Sequence, residues 1–370
     1  MPRPVSLLIL LPALHIAPTL SLLRPKNADL ALNLWPMIQA HDAGTVYLRP
    51  SNLIDDIVYR FTRTQNADSV SELLDCGVRA FDWRPSLQDG VLGFAHGPVF
   101  INHSMELAAA EVVSWANNHS AEQEDALVVL VVADCNSDAC VTAANAAFAA
   151  VGMPAVGGSA GCAAASDYTL STAMAASALA GGGHAIAIVN CPLAPETSYD
   201  EERSCLGFLP ASERSSSLSA ALAACMRSDD VRACAEHVSG CNGPCPAIPD
   251  TYACYTDGSG RNASYAFNRM RDWLNQTAAV APPSAAGQRG LFVELQGCWA
   301  QNDASTVLSF LYNSSLLDDD ARAEFNRGFL MDAIQADANP RTMENIGLLG
   351  INAACDGGPE ILAELRKRVA

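Results

Sequence analysis

Short apolar runs alternate with helix-patterned stretches along most of the chain. Runs at 31–40, 78–83, 91–95, 127–133, 185–190, 251–256, 291–296 and 329–334 read as strands, and several are short, continuous and rich in Val, Ile, Leu and Phe. Continuous apolar runs of that length suit parallel strands buried on both faces. Between them, "SMELAAAEVVSWANNH" at 104–119 opens on Ser104, a residue suited to cap a helix, and carries apolar residues at helical spacing. Residues 264–277 read the same way, and 138–152 is an alanine-rich helix closed by Gly152. Eight strands alternating with helices predict a closed parallel barrel. The same alternation also builds a doubly wound open sheet, but no GxGxxG or Walker pattern supports a nucleotide-binding version. Two segments break the rhythm. Residues 156–168 read as a Gly/Ala/Ser loop, and 205–250 as a stapled insertion on the barrel rather than a separate domain.

Composition narrows the setting. With 370 residues, half of them hydrophobic, the chain can bury a large core. Its formal charge of −18 leaves no basic face for nucleic acid, which is excluded as a partner. The first 21 residues, "MPRPVSLLILLPALHIAPTLS", combine Arg3, an apolar run and small residues, the pattern of a secretory signal peptide. The expected mature chain is 22–370, secreted, and acting as a monomer. Cysteine usage agrees with export. There are 13 cysteines, and Cys205, Cys225, Cys234, Cys241, Cys245 and Cys254 crowd the insertion and its border. In an oxidising compartment these predict disulfides, since no second His or Cys pair completes a zinc site around "CNGPC". Asn102, Asn118, Asn262, Asn275 and Asn313 stand in glycosylation sequons.

The candidate chemistry sits where apolar runs end. The first run closes on His41-Asp42, with Gly44 two residues on. "GVRAFDWRP" closes on Asp82 and Arg84, whose i, i+2 spacing points both to one side of a strand. "GVLGFAHGPVF" places His96 before a turn, and "GFLMDAI" places Asp332 after an apolar run. In a parallel barrel the carboxyl ends of the strands form the catalytic rim. Two histidines, an arginine and flanking carboxylates suit phosphoryl transfer without a metal or other cofactor. One histidine takes a proton from the attacking hydroxyl, the other gives one to the leaving alkoxide, and the guanidinium meets charge on phosphorus.

"HDAGT", "TQNADSVSELLDCGVRAFDWRP" and "DGVLGFAHGPVF", with their spacing, resemble the X domain of phosphatidylinositol-specific phospholipase C in its bacterial, calcium-independent form. The resemblance covers residues 36 to about 100 most clearly and implies a distorted TIM barrel. It implies His41 as general base held by Asp332, and His96 as general acid assisted by Asp42. It implies Arg84 at the phosphoryl group, with Asp82 supporting the site. Products would be diacylglycerol and a cyclic inositol phosphate, from a phospholipid or glycosylphosphatidylinositol at a membrane surface. The calcium-dependent relatives carry Asn after the first histidine and a carboxylate where this chain has Arg84.

The chain departs from that pattern at the headgroup. The bacterial enzymes grip inositol with basic residues at the ends of the fourth and fifth strands. Here those ends read "VVADCN" and "IVNCP", with Asp134 and Asn190. Asn190, Tyr255, Asp257 and Trp299 are the candidates for substrate binding. Two other readings compete. A metal-dependent glycerophosphodiesterase or sphingomyelinase D-like enzyme needs a Glu-x-Asp pair where Arg84 stands. A catalytically retired lipid- or sugar-binding barrel would not need the complete His/Asp/Arg/His set.

Overall fold

The computed structural model describes residues 27–49, 59–60, 62–135, 137–191, 294–296, 315–318, 325–335 and 347–367. The leader expected at 1–21, the insertion expected at 205–250, and the elements expected at 251–256 and 264–277 lie outside them.

The fold is α/β around a parallel sheet. Its strands are β1 (Met37–Ala40), β2 (Val78–Trp83), β6 (Val128–Val132), β7 (Ala155–Gly157), β8 (Ala185–Val189), β9 (Glu294–Gln296) and β10 (Leu348–Ile351). They run in the order β7-β8-β6-β2-β1-β10-β9, and every neighbouring pair is parallel. The first strand therefore lies between the second and the last. That adjacency is the one a barrel needs. A separate three-stranded antiparallel sheet holds β3 (Pro85–Gln88), β4 (Val91–His96) and β5 (Val99–Ile101). Helices α1 (Val70–Asp75), α2 (Met105–Asn118), α3 (Asp138–Ala150), α4 (Gly158–Ser166), α5 (Leu170–Ala176), α6 (Met331–Gln335) and α7 (Gly358–Arg366) complete the main elements.

Side-chain alternation splits the core into two layers. Val128, Leu130 and Val132 of β6 pack with Leu73, Val112, Phe148 and Ile361 from the helices. Val129 and Val131 face the other way, onto Met37, Ala80, Ile186, Ile188 and Leu348, with Trp35 and Leu170 against them. A strand buried on both faces must be apolar at every position, which is why these runs are continuous. Strand β2 carries a bulge: Ile38 pairs with Val78, but Gln39 pairs with Ala80. The extra residue, Arg79, stays on the helix side, its guanidinium 4.7 Å over the Trp115 ring and bonded to the Leu74 carbonyl. Because a one-residue slip exchanges the two faces of a strand, the bulge puts Asp82 on the side of Ala80 and away from α1, α2, α3 and α7.

Four expectations differ from the structure. Residues 91–95 form a strand, but within an antiparallel meander. The two-residue turn Asp89-Gly90 has φ of 49° and 81°, the left-handed pair that closes a hairpin, and such a loop has no room for a parallel crossover. Residues 31–40 yield a strand only from Met37, after a 3₁₀ turn at Leu32–Leu34. The stretch 329–334 is helical, within a π-turn at Phe325–Leu330 and α6, so Asp332 is not at a strand end. Leu, Met and Phe serve helix and strand alike, and the last strand lies instead at Leu348–Ile351. The expected loop 156–168 contains α4, whose alanines favour a helix and whose Cys162 is bonded to Cys191.

All six described cysteines are paired, as Cys76–Cys355, Cys135–Cys140 and Cys162–Cys191. Among the described residues, no helix is long and apolar enough to cross a membrane.

Candidate active site

The carboxyl edge of the sheet carries a polar cluster. His41 and Asp42 follow β1, Asp82 and Arg84 lie at the end of β2, and Asn352 follows β10. His96 ends β4 and arrives from the meander. What brings it in is the glycine of "HDAGT". A Cβ on Gly44 would stand 2.5 Å from Cγ of Phe94, so only glycine lets that ring sit against the chain. Phe94 is two residues before His96 and also meets Trp83 edge-on at 5.2 Å. The aromatic pair thus docks β4 against the ends of β1 and β2.

Asp42 is the centre. It is left-handed at φ 45° and almost wholly buried. Its Oδ2 lies 3.3 Å from Nε2 of His41 and 3.2 Å from Nε2 of His96, and its Oδ1 lies 3.0 Å from Nε of Arg84. Burial pushes its carboxyl up, but His41, His96 and Arg84 outweigh burial and hold it below the usual carboxylate value. Burial likewise opposes the Arg84 charge, while Asp82 and Asp42 overcome this and raise its pKa above the ordinary arginine value. Arg84 Nη2 donates to Asp82 Oδ2 at 2.9 Å, and Asp82 Oδ2 also accepts the backbone N–H of Asp42 at 3.2 Å. Asp82 therefore fixes both the guanidinium and the turn that presents Asp42.

The histidines are held at their far nitrogens by different groups. Nδ1 of His96 lies 2.7 Å from the Thr62 carbonyl, which can only accept, so Nδ1 carries a proton. Its Nε2 then faces a buried carboxylate. Nδ1 of His41 lies 3.0 Å from Oδ1 of Asn352, and its Nε2 lies 3.5 Å from Nη2 of Arg84. Oriented so, Asn352 accepts from Nδ1, and Nε2 is turned towards Asp42 and Arg84 at the centre of the site. The partner expected for His41 was Asp332, which lies in a helix and whose side chain is outside the described set; Asn352 meets Nδ1 of His41.

His41, Asp42, Asp82, Arg84 and His96 are thus brought together. Asn190 stands exposed on the same edge at φ 50°, its N–H donating to the Val132 carbonyl at 2.8 Å. Tyr255, Asp257 and Trp299 lie outside the described residues. Beyond the expected set, Asn352 and Thr62 hold the histidines, and the exposed Asp134 comes within 3.8 Å of Arg84. The end of β6 is a signal for Asp134; Asn352 follows a run interrupted by glycine, and Thr62 acts through its backbone, so neither has a local one.

His41, Asp42 and Asp82 can each bring one ligand atom to within 4.8 Å of the others, a spacing open to a cation. Arg84 competes for that role, since its guanidinium already neutralises both carboxylates.

No protein-family model and no curated protein sequence matches the chain. Among solved structures, a phosphatidylinositol-specific phospholipase C from Listeria monocytogenes is similar at 12% identity and a TM-score of 0.47, over 92% of this chain and 95% of that one. So distant a likeness leaves the chemistry to the side chains.

Proposed function

We propose that the chain is a phosphodiesterase that cleaves a phosphatidylinositol-type phospholipid, or a glycosylphosphatidylinositol, without a metal. One observation carries this reading: a single buried carboxylate, Asp42, touches Nε2 of two histidines and Nε of an arginine. The two ring nitrogens can be no further apart than those two contacts placed end to end, close enough to flank one phosphodiester.

His41, acting as the base between Asp42 and Arg84, takes the proton from the inositol hydroxyl beside the phosphate. That oxygen attacks phosphorus, and Arg84 meets the charge that builds on the phosphoryl oxygens. The bond to the diacylglycerol oxygen breaks, and His96, acting as the acid with its Nε2 against Asp42, hands that oxygen its proton. The products are a five-membered cyclic phosphate and diacylglycerol, with no water consumed. Acid–base help of this kind is worth about 10²–10⁴-fold per group. The headgroup comes from the resemblance around "HDAGT" and "GVRAFDWRP"; the division of labour comes from the contacts of each histidine.

Secretion is part of the proposal, supported by the leader-like first 21 residues and by the three disulfides. Asn102 and Asn118 are exposed and would carry glycans. The test is ³¹P NMR of phosphatidylinositol vesicles incubated with the secreted protein in EDTA. A five-membered cyclic phosphate should form first. Turnover only after metal is restored, or a linear phosphate with no cyclic precursor, overturns the reading.

A further inference from the structure

The pair Thr64-Gln65, inside the stretch that resembles the phospholipase family, has no part in the chemistry above. Yet Gln65 is wholly buried, and each of its polar atoms is engaged. Its Nε2 donates to the carbonyl of His41 at 2.8 Å and to that of Ile351 at 2.9 Å. Its Oε1 accepts the N–H of Ala354 at 3.1 Å. The amide orientation is forced, because two carbonyls face one end and an N–H the other. One side chain therefore ties the end of β1, at His41, to the end of β10, one residue before Asn352.

Its neighbours extend the tie. The Thr64 carbonyl accepts the N–H of Ala353 at 2.8 Å, and Asn66 Oδ1 accepts that of Cys355 at 3.1 Å. Three successive amides after Asn352 are thus caught by three successive residues, 64, 65 and 66. Thr64 Oγ1 donates to the His41 carbonyl at 2.8 Å, and the Thr62 carbonyl receives Nδ1 of His96 at 2.7 Å. Ala353 needs such support, since it is held at φ 45°, a conformation that alanine rarely adopts.

We infer that residues 62–66 form a splint that presets the distance between His41, Asn352 and His96, with Gln65 its central positioning residue. Gln65 touches none of the reacting atoms. It acts by holding two strand ends in register, so that Nδ1 of His41 stays on the Asn352 oxygen. As an account of catalysis this rests on the proposed phosphodiesterase reading; as an account of His41 geometry it does not.

The test is Gln65→Leu, read by ¹⁵N-histidine NMR and by steady-state turnover of phosphatidylinositol in detergent micelles. In the unaltered protein His41 should appear as the Nδ1–H tautomer. In the variant it should become a mixture of tautomers. Turnover should fall about 100-fold, as for a misplacement near 1 Å, with KM within about threefold. Thr169→Ala, which removes a helix cap beside the entry to β1, at the edge opposite the site, controls for lost stability and should keep both tautomer and kcat. If Gln65→Leu does not fold, Thr64→Val carries the test through the other bond to the His41 carbonyl. A folded variant with the unaltered tautomer and kcat overturns the inference. If the unaltered protein turns over no phosphodiester, the functional reading fails, and the tautomer measurement still decides the role of Gln65.

Discussion

Replacing Asp42 with asparagine removes one charge and almost no volume. Asparagine also tolerates the left-handed backbone at φ 45°, so the turn need not move. The charge that disappears has three partners, Arg84 at 3.0 Å, His96 at 3.2 Å and His41 at 3.3 Å. At an effective dielectric near 20, a fully charged pair such as Asp42 and Arg84 attracts by about 5 kcal/mol at that distance. Burial of the carboxylate cancels much of this, and breaking a buried pair costs about 3–5 kcal/mol in practice. Arg84 keeps Asp82, so we expect a loss of about 3 kcal/mol at pH 7, at the lower end. Its pH dependence has a definite sign. The folded pKa of Asp42 lies below the usual value, so its stabilising contribution is complete above about pH 4 and fades as pH falls through the folded pKa. Urea unfolding of both proteins at pH 7 and at pH 3 should therefore show a gap that narrows in acid. Turnover at pH 7 should drop about 10²–10⁴-fold, because His96 loses the carboxylate that faces its Nε2. A variant within 1 kcal/mol of the unaltered protein at pH 7, or one that turns over normally, would refute this view of Asp42.

Three further substitutions probe neighbouring parts. Arg84→Lys cannot bridge Asp42 and Asp82 with one fork, and should cost about 10²–10³-fold in kcat, in EDTA as in calcium; a variant restored by calcium would favour a metal site at His41, Asp42 and Asp82. Gly44→Ala drives a methyl into Phe94 and should lower stability by about 1–3 kcal/mol on denaturation while reducing kcat through a displaced His96. Unchanged turnover there would mean that the meander does not position the acid. Removing the Cys76–Cys355 bond with two alanines frees a 279-residue separation and should cost about 5 kcal/mol by chain entropy, read as a lower urea midpoint.

The sequence spoke clearly wherever the signal was local. Val128–Val132 and Ala185–Val189 are continuous apolar runs because both of their faces are covered. Ser104 caps α2 as its type predicts, accepting the N–H of Leu107 at 3.4 Å. His41, Asp42, Asp82, Arg84 and His96 were legible because each ends an apolar run. The partner of His41 was not. "GFLMDAI" offers an unbroken apolar run before a carboxylate, whereas "GLLGIN" is interrupted by glycines, and no local property separates a helix from a strand there. The difference is tertiary: Leu348–Ile351 is needed between β1 and β9. The meander was misassigned for another reason. Asp89-Gly90 is hairpin chemistry, and the apolar run that follows it outweighed that cue. Gln65 reads as an ordinary polar residue until the fold brings positions 351 and 354 beside it.

The most direct test of the central claim, that His41 and His96 straddle one phosphodiester as base and acid, is a comparison of leaving groups. His41→Ala and His96→Ala would each be assayed with phosphatidylinositol and with the inositol phosphodiester of p-nitrophenol, whose oxygen leaves without a proton. The account predicts that both variants lose orders of magnitude on the lipid, and that the nitrophenyl substrate restores His96→Ala substantially and His41→Ala hardly at all. Equal rescue of both variants, or rescue of His41→Ala alone, would contradict it.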